Sequence, residues 1–424
     1  MRARDARLQA VLVTALRAFS AMLTLAVSLV VARSFGAQTN GLLLLAMAVI
    51  SIVGMVSSLG LPDPVMRHVA VSAAGGGWTD AALTMRHAMR LTALAVSASA
   101  LVVLLSLHGI DSADENRFLV IAVLALPAVS LLQLYARGLT GLSRPLIGEF
   151  WWKAGVQLVL LICVVGGALL SERSAIPVGL VAGYWIGFVA CWFVWRKTTS
   201  HVGSDIGSSA IGTGRLLQQG LPVMFSSSLA LLPQWIDVLM ISGLIGTAQA
   251  GVYGVAVRVA ALIGLVLVGA NAVAGPRFAK LYSKGDLPAL RTLVAVVNTW
   301  TMAASMVAFV GLLVFSRLFG TIFGPEFNSG ERVLVIAAVG QLFHASFGVV
   351  ALLLIMTGQA RRVLLASVVA VSLNLLLNLL LIPRFGISGA AWASVASVLA
   401  ANIVSAVSVY RTLAIRPLRF QLVP

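Results

Sequence analysis

The chain has 424 residues, of which 60% are hydrophobic and only 10% are charged. Soluble domains contain about 45–50% apolar and about 25% charged residues, so this composition excludes a soluble protein and indicates an integral membrane protein. The net charge of +16 would favour a nucleic-acid partner in a soluble chain, so its meaning here depends on where the charges lie. Both cysteines, Cys163 and Cys191, lie in apolar runs, which excludes a disulfide framework and a cysteine-rich zinc site.

Apolar windows long enough to cross a bilayer recur along the whole chain. A spanning helix needs about 20 mostly apolar residues. Twelve windows, spans 1 to 12, meet this requirement: 8–31, 42–61, 89–108, 118–136, 146–170, 176–195, 216–244, 251–273, 292–315, 331–357, 362–382 and 387–410. Solidly apolar runs such as Leu375–Ile382 do not alternate as the strands of a membrane barrel do. We therefore predict an all-α integral membrane protein with twelve transmembrane helices.

The Lys and Arg residues are unevenly divided between alternate loops. With the N-terminus in the cytoplasm, twenty of them fall in the termini and the internal loops, and six fall in external loops. The six are Arg33, Arg117, Arg173, Arg317, Arg332 and Arg384. Because basic loops stay in the cytoplasm, both termini are predicted to be cytoplasmic. The excess positive charge then reflects membrane topology, and no nucleic-acid partner is expected.

The segment between spans 6 and 7 has the composition of a linker. Residues 198–213 read TTSHVGSDIGSSAIGT, and Gly- and Ser-rich segments of this kind are flexible. We predict an N-terminal lobe over 1–197 with spans 1 to 6, a cytoplasmic linker over 198–214, and a C-terminal lobe over 215–424 with spans 7 to 12.

The two lobes resemble each other at their turns. Phe35–Gly41 (FGAQTNG) after span 1 is similar to Ile245–Gly251 (IGTAQAG) after span 7, and Thr140-Gly141 after span 4 matches Thr357-Gly358 after span 10. These matches favour a duplicated six-helix unit. Two six-helix units that start and end inside are parallel repeats, and transporters commonly bind substrate where repeats meet.

Charged residues inside spans are candidates for function because they are unfavourable in lipid. Arg17 is about ten residues into span 1, roughly 15 Å deep, and either faces a cavity or pairs with another helix. Asp237 in span 7 and Arg258 in span 8 lie at similar depth on either side of a short turn. They form a salt bridge across the hairpin, or Arg258 lines a cationic cavity while Asp237 pairs with it or senses a proton or cation.

Span 5 carries a further candidate cation. Glu149 and Lys153 have the i, i+4 spacing of a helical ion pair, which favours a mutually satisfied pair with Lys153 reaching the interface; Lys153 is otherwise a cavity cation. Asn374, Asn378 and Gln157 are expected to join helices by hydrogen bonds. The histidines have no metal-binding spacing, and there is no phosphate-binding loop or hydrolase triad, so we expect no metal, cofactor or enzymatic reaction.

The stretch Asn374–Ser394 (NLLLNLLLIPRFGISGAAWAS), the arrangement of six plus six spans and the paired glycine turns together carry a family resemblance. The chain resembles the polysaccharide flippases of the multidrug/oligosaccharidyl-lipid/polysaccharide exporter superfamily. The resemblance implies a V-shaped two-lobe bundle that alternates between inward-open and outward-open states. It also implies a cationic central cavity for a lipid pyrophosphate and its sugars, with Arg17 and Arg258 at the positions of the family's cavity cations.

The resulting hypothesis is a flippase in the bacterial cytoplasmic membrane that translocates a polyprenyl-pyrophosphate-linked oligosaccharide for O-antigen, capsule or exopolysaccharide synthesis. Its expected partners are the lipid-linked substrate, membrane lipids, a coupling ion (H⁺ or Na⁺) and polysaccharide polymerase or assembly proteins. A multidrug/cation antiporter would place acids in the N-terminal lobe spans, where only Glu149 is found. A peptidoglycan-precursor flippase usually has two more helices, and a polysaccharide ligase or polymerase needs a large external loop.

Overall fold

The computed structural model describes residues 3–106, 113–200 and 211–415, and in these ranges the chain forms helices and the turns between them. Most of the linker predicted over 198–214 lies outside the described residues, as does the C-terminal segment 416–424.

The first half of the chain contains eight α-helices and one π-helical turn within its described residues. They are α1 (Ala3–Ser57), α2 (Pro62–Ala74), α3 (Trp78–Ser106), α4 (Ala113–Val123), α5 (Leu126–Gly141), α6 (Pro145–Glu149), the π-helical turn (Phe150–Gly155), α7 (Val156–Leu170) and α8 (Ala175–Thr199).

The second half continues with eight more α-helices over residues 213–413. They are α9 (Thr213–Ile245), α10 (Thr247–Ala260), α11 (Gly264–Ser283), α12 (Leu287–Ser316), α13 (Phe319–Phe323), α14 (Gly330–Phe347), α15 (Val350–Met356) and α16 (Ala360–Leu413), with a short 3₁₀ turn at Pro325–Phe327.

Seven helices in the described residues are long and apolar enough to cross a membrane, and three bent pairs raise the number to ten if each pair is one span. The two longest helices are interrupted by glycines. Gly36 in α1 has φ 82° and ψ 178°, and Gly386 in α16 has φ 59° and ψ −141°. Glycine adopts such positive φ angles without a steric penalty. The interruptions fall where the sequence separates spans 1 and 2, and spans 11 and 12.

The chain divides into two compact units. Unit 1 contains residues 1–35 and 42–231, and unit 2 contains residues 36–41 and 232–424. In unit 1, α5 packs against α2, α3 and α8, around buried side chains such as Leu132, Met85 and Trp195. In unit 2, α14 packs against α10, α12 and α16, and a second core forms around Phe278 and Leu353. The lobe boundaries stated above stay a prediction.

The paired turns of the proposed repeat share a backbone conformation. Gly246, which precedes α10, has φ 108° and ψ 159°, close to the angles of Gly36. Each glycine is followed at once by a new helix. At the first of these helix starts, the Glu326 carboxylate accepts a hydrogen bond of 2.8 Å from the Ala37 N–H, the favourable position for an acidic side chain at a helix N-terminus.

Within unit 2, residues 36–41 pack directly on the start of α10. A Cβ atom on Gly41 would overlap the carbonyl oxygen of Thr247, and a Cβ atom on Gly251 would overlap that of Ala37. The sequence offset that aligns Gly41 with Gly251 also aligns Ala37 with Thr247. The Gly41–Thr247 contact and the Gly251–Ala37 contact therefore correspond to each other under the proposed repeat. Reciprocal contacts of this kind are typical of two-fold related surfaces. Asn40 Nδ2 adds a hydrogen bond of 3.0 Å to the Gly251 carbonyl.

The second match, between the two Thr-Gly turns, is not equivalent in structure. Gly358 has φ 79° and ends its helix in the left-handed region, whereas the left-handed residue after α5 is Ser143, two positions beyond Gly141. Gly141 is instead required by close packing, because a Cβ atom there would lie 2.6 Å from the Met66 carbonyl oxygen. The Thr-Gly sequence therefore has a different structural role in each half of the chain.

The reciprocal contact predicts a position-specific effect of one methyl group. We expect Gly41→Ala to lower the free energy of unfolding by about 1–3 kcal/mol, because it overpacks two backbones in contact. Gly243→Ala in α9 is the matched control, since nothing lies within 4 Å of a Cβ atom there. Denaturant unfolding in detergent micelles measures both, and equal stability of the two variants would contradict the close approach.

Candidate functional site

Asp237 on α9 is the centre of a polar cluster in unit 2. Its side chain is only 5% exposed. Oδ2 accepts hydrogen bonds from the hydroxyls of Tyr253 on α10 and Ser394 on α16. Oδ1 accepts from Nδ2 of Asn378 at 2.7 Å and from Nδ2 of Asn374 at 3.1 Å, both on α16. These four donors are neutral, and together with Asp237 they join three helices. We call the five residues the Asp237 cluster.

The amide groups of α16 also bond to each other. Asn378 Nδ2 donates to Asn374 Oδ1 at 3.1 Å, and Asn374 Nδ2 donates to Ser394 Oγ at 3.3 Å. Asn374 and Asn378 share a helix face because they are four residues apart. The prediction that these asparagines join helices by hydrogen bonds is therefore confirmed. Asn378 Oδ1 is buried without a hydrogen-bond partner, which leaves an oxygen lone pair unused inside the cluster.

The chemistry of the cluster suits a small cation. Carboxylate, amide and hydroxyl oxygens are the ligands that hard cations prefer. Within this cluster, every hydrogen-bond donor to the negatively charged Asp237 carboxylate is a neutral group. In the described part of the chain, no three His, Cys, Asp or Glu side chains are grouped to hold a metal ion. The cluster can thus hold a proton or one weakly bound monovalent ion.

Sequence reasoning missed two members of the Asp237 cluster, Tyr253 and Ser394. Isolated hydroxyls are ordinary in apolar helices, and only their depth relative to Asp237 could have indicated a role. Arg258 lies half-buried on α10, five residues beyond Tyr253. Its salt bridge with Asp237 stays a prediction.

Unit 1 contains a different arrangement, built around Lys153 in the π-helical turn. A π-helical turn shifts hydrogen bonds from i+4 to i+5 and disturbs the regular pairing of carbonyls. Ser20 Oγ on α1 donates to the Lys153 carbonyl oxygen at 2.8 Å, so α1 lies against this turn. Arg17 is three residues before Ser20, on the same side of α1. Both Arg17 and Lys153 are exposed.

The expected pair between Glu149 and Lys153 stays a prediction, because the Glu149 carboxylate still acts on the Lys153 ammonium group. Among the described residues no ion pair joins them, and Glu149 Oε2 is buried without a hydrogen-bond partner. The spacing i, i+4 aligns side chains only in a regular α-helix. Here α6 ends at Glu149 and the π-helical turn begins at the next residue, so the helix between the two side chains is not a regular α-helix.

Arg137 is a third cation of unit 1, in addition to Arg17 and Lys153. The sequence places it in a cytoplasmic loop, but α5 continues to Gly141 and carries Arg137 within its last turn and a half. Its Nε lies 3.4 Å from Oδ1 of Asp63, and it lines a small cavity of about 30 Å³ with Glu149. The charges of Arg17, Arg137 and Glu149 all act on the Lys153 ammonium group. We call Arg17, Arg137 and Lys153 the cationic cluster.

These features define the class of protein. Long apolar helices that carry a buried carboxylate cluster and a group of cations are characteristic of multi-pass membrane transporters, in which ionisable groups within the bilayer serve transport. The chain has a membrane exporter fold.

The comparison with protein families names the particular group. The family model described as "Polysaccharide biosynthesis protein" matches residues 8–282, more than half of the chain. The chain belongs to this family of polysaccharide biosynthesis proteins. A second model, MatE, matches residues 222–380.

Curated relatives carry similar descriptions. The chain is 26% identical over 371 residues to the probable low-salt glycan biosynthesis flippase Agl15 of Haloferax volcanii, a match that covers 86% of this chain and 75% of the relative. It is 25% identical over 174 residues to the capsular polysaccharide biosynthesis protein CapF of Staphylococcus aureus, covering 40% of this chain and 43% of that protein.

Solved structures share the fold. The lipid II flippase MurJ in an inward closed conformation superposes with a TM-score of 0.71 at 14% identity, covering 94% of this chain and 87% of that one. An inward-facing multidrug resistance MATE family transporter superposes with a TM-score of 0.72 at 13% identity, covering 96% and 98%. At these identities the likeness establishes the fold alone.

The Asp237 cluster predicts that a single hydroxyl contributes measurably to stability. We expect Tyr253→Phe to lower the free energy of unfolding by about 1–3 kcal/mol, because the buried carboxylate loses one of two donors at Oδ2. Tyr282→Phe, at an exposed position near the end of α11, is the matched control and should be neutral. Unfolding in detergent measures both, and a neutral Tyr253→Phe would argue against the described hydrogen bond.

Proposed function

We propose that this chain is a flippase that translocates a polyprenyl-pyrophosphate-linked oligosaccharide across the cytoplasmic membrane of a bacterium by alternating access, for surface polysaccharide synthesis. Family membership and the flippase names of its relatives support the transport of a lipid-linked glycan. The observation that carries the proposal is the cationic cluster, because its three cations exceed the two nearby carboxylates, Asp63 and Glu149, by one charge and so favour an anionic ligand.

The cationic cluster suits a pyrophosphate. Arg17 and Arg137 offer guanidinium groups that bind phosphate oxygens in pairs, and Lys153 adds a point charge. Arg258 is proposed separately as a cavity cation of unit 2. A cationic drug, the substrate class of the alternative antiporter, would be repelled by the same three charges. The cluster therefore favours the lipid-linked glycan over the drug.

We propose twelve membrane spans with both termini in the cytoplasm. Seven apolar helices and three bent pairs account for ten. The spanning part of α1 has 43 residues and α16 has 54, which is about 65 Å and about 81 Å at 1.5 Å per residue. Both lengths are at least twice the roughly 30 Å of a bilayer core. Each helix also contains a glycine interruption, so each supplies two spans.

We propose that the Asp237 cluster binds the coupling cation, a proton or Na⁺. A buried carboxylate is strongly destabilised unless its charge is neutralised, and its four donors satisfy its hydrogen bonds without neutralising it. Binding and release of a cation at this point would alter the contacts among α9, α10 and α16, which is how an ion gradient drives a conformational change. Polysaccharide polymerase and assembly proteins are the proposed partners downstream.

The substrate assignment predicts a selective loss of transport. We expect Arg17→Gln and Lys153→Gln each to reduce translocation at least tenfold, because a hydrogen bond to a charged group contributes about 1.5–3 kcal/mol. Arg90→Gln, at an exposed position on α3, is the control with the same change of charge. The measurement is uptake of a labelled lipid-linked oligosaccharide in proteoliposomes containing equal amounts of protein. Unchanged rates in both cluster variants would refute the assignment.

The coupling assignment makes a separate prediction. We expect Asp237→Asn to keep substrate binding but to lose the acceleration of transport by an imposed Na⁺ or pH gradient, since the amide carries no charge to be neutralised. Asp286→Asn is the control, because Asp286 is an exposed N-cap residue of α12 and asparagine caps helices as well as aspartate. A gradient response in Asp237→Asn equal to that of the control would exclude coupling at this carboxylate.

A further inference from the structure

Unit 2 contains a cavity of about 470 Å³ that borders the Asp237 cluster. Side chains of α10, α11, α14 and α16 line it. Two of the lining residues, Tyr253 and Ser394, are the same hydroxyl groups that donate to Oδ2 of Asp237. The carboxylate itself does not line the cavity, so the two hydroxyls form the wall between the cavity and the charge.

Two helix interruptions occur in the elements that line the cavity or directly follow them. The axes of α10 and α11 differ by 45° at a short break, and those of α14 and α15 differ by 42°. At the break between α10 and α11 the backbone hydrogen bonds join residues three positions apart. The Leu262 N–H donates to Val259 O at 3.2 Å, and the Ile263 N–H donates to Ala260 O at 3.1 Å. Interrupted helices that line a cavity are a common way for transporters to build ion sites within the membrane.

Polar groups reach into this part of unit 2 from several helices. Asn271 on α11, Gln341 and His344 on α14 line the cavity. Asn271 Oδ1 is buried without a hydrogen-bond partner. The His344 Nδ1 atom is 3.1 Å from Nδ2 of Asn402, and if it accepts that amide proton the other ring nitrogen is the donor. A cavity of this size with several polar partners has room for several waters.

We propose that this cavity is a hydrated vestibule through which the coupling cation reaches Asp237, with Tyr253 and Ser394 as the groups that pass it on. The inference rests on the proposed coupling role of Asp237. A hydronium ion in the cavity would give a proton to Ser394 Oγ and remain as neutral water, while the original hydroxyl proton moves to Asp237 Oδ2. Na⁺ would exchange its waters for the hydroxyl and carboxylate oxygens.

Water access can be tested without measuring transport. In the full-length chain carrying Cys163→Ala and Cys191→Ala, Gln341→Cys introduces a thiol on the cavity wall. Ala338→Cys is the matched control, because Ala338 lies one turn earlier on α14, is buried, and does not line the cavity. We expect a positively charged methanethiosulfonate reagent to label Gln341→Cys at least tenfold faster than Ala338→Cys in membrane vesicles. Equal rates would mean a dry or lipid-filled cavity and would overturn the proposal.

A second measurement connects the cavity to the ion. Gln341→Leu should raise the Na⁺ concentration for half-maximal transport if Na⁺ is the coupling ion, or lower the pH for half-maximal transport if it is the proton. Ala338→Val is the control. No change in either quantity would overturn the vestibule. If Asp237→Asn abolishes gradient-driven transport while Gln341→Cys stays unlabelled, only the vestibule is wrong. If Gln341→Cys is labelled and Asp237→Asn couples normally, the coupling site is wrong instead.

Discussion

The organisation of unit 2 depends on the burial of one carboxylate. Asp237 is 5% exposed, and a charge in such a place is tolerated only when hydrogen bonds replace the lost water. Tyr253, Ser394, Asn374 and Asn378 supply these bonds from α10 and α16. All four donors are neutral groups, and the proposal that a cation binds at Asp237 rests on this arrangement.

Unit 1 uses an irregular helix to present charge of the opposite sign. The π-helical turn at Phe150–Gly155 separates Lys153 from Glu149, its expected partner, and Ser20 holds the backbone of the turn against α1. Among the described residues the Lys153 ammonium group forms no ion pair with Glu149, although the charges of Glu149, Arg17 and Arg137 all act on it. A ligand that carries phosphate charge is the natural counter-ion for this arrangement.

The sequence was sufficient for features that depend on a single residue's chemistry. Composition predicted membrane helices, and Gly36 and Gly246 marked turns whose angles only glycine adopts easily. Asn374 and Asn378 were correctly expected to join helices, because an amide in an apolar helix needs a partner. Features that depend on helix register could not be predicted. No sequence pattern indicates the π-helical turn that follows Glu149, and Arg137 was placed outside its helix. Tyr253 and Ser394 become partners of Asp237 through the packing of α10 and α16 on α9. No pattern in a single sequence indicates that packing.

The coupling and vestibule proposals both depend on the binding of a single monovalent cation at the Asp237 cluster. The most direct test counts the ions that the purified protein binds, by titrating the binding of radioactive Na⁺ at fixed pH and the uptake of protons in Na⁺-free medium. We expect the native protein to take up one Na⁺ or one proton per chain, Asp237→Asn to lose that one ion, and Asp286→Asn to keep it. Equal uptake by all three proteins would contradict it.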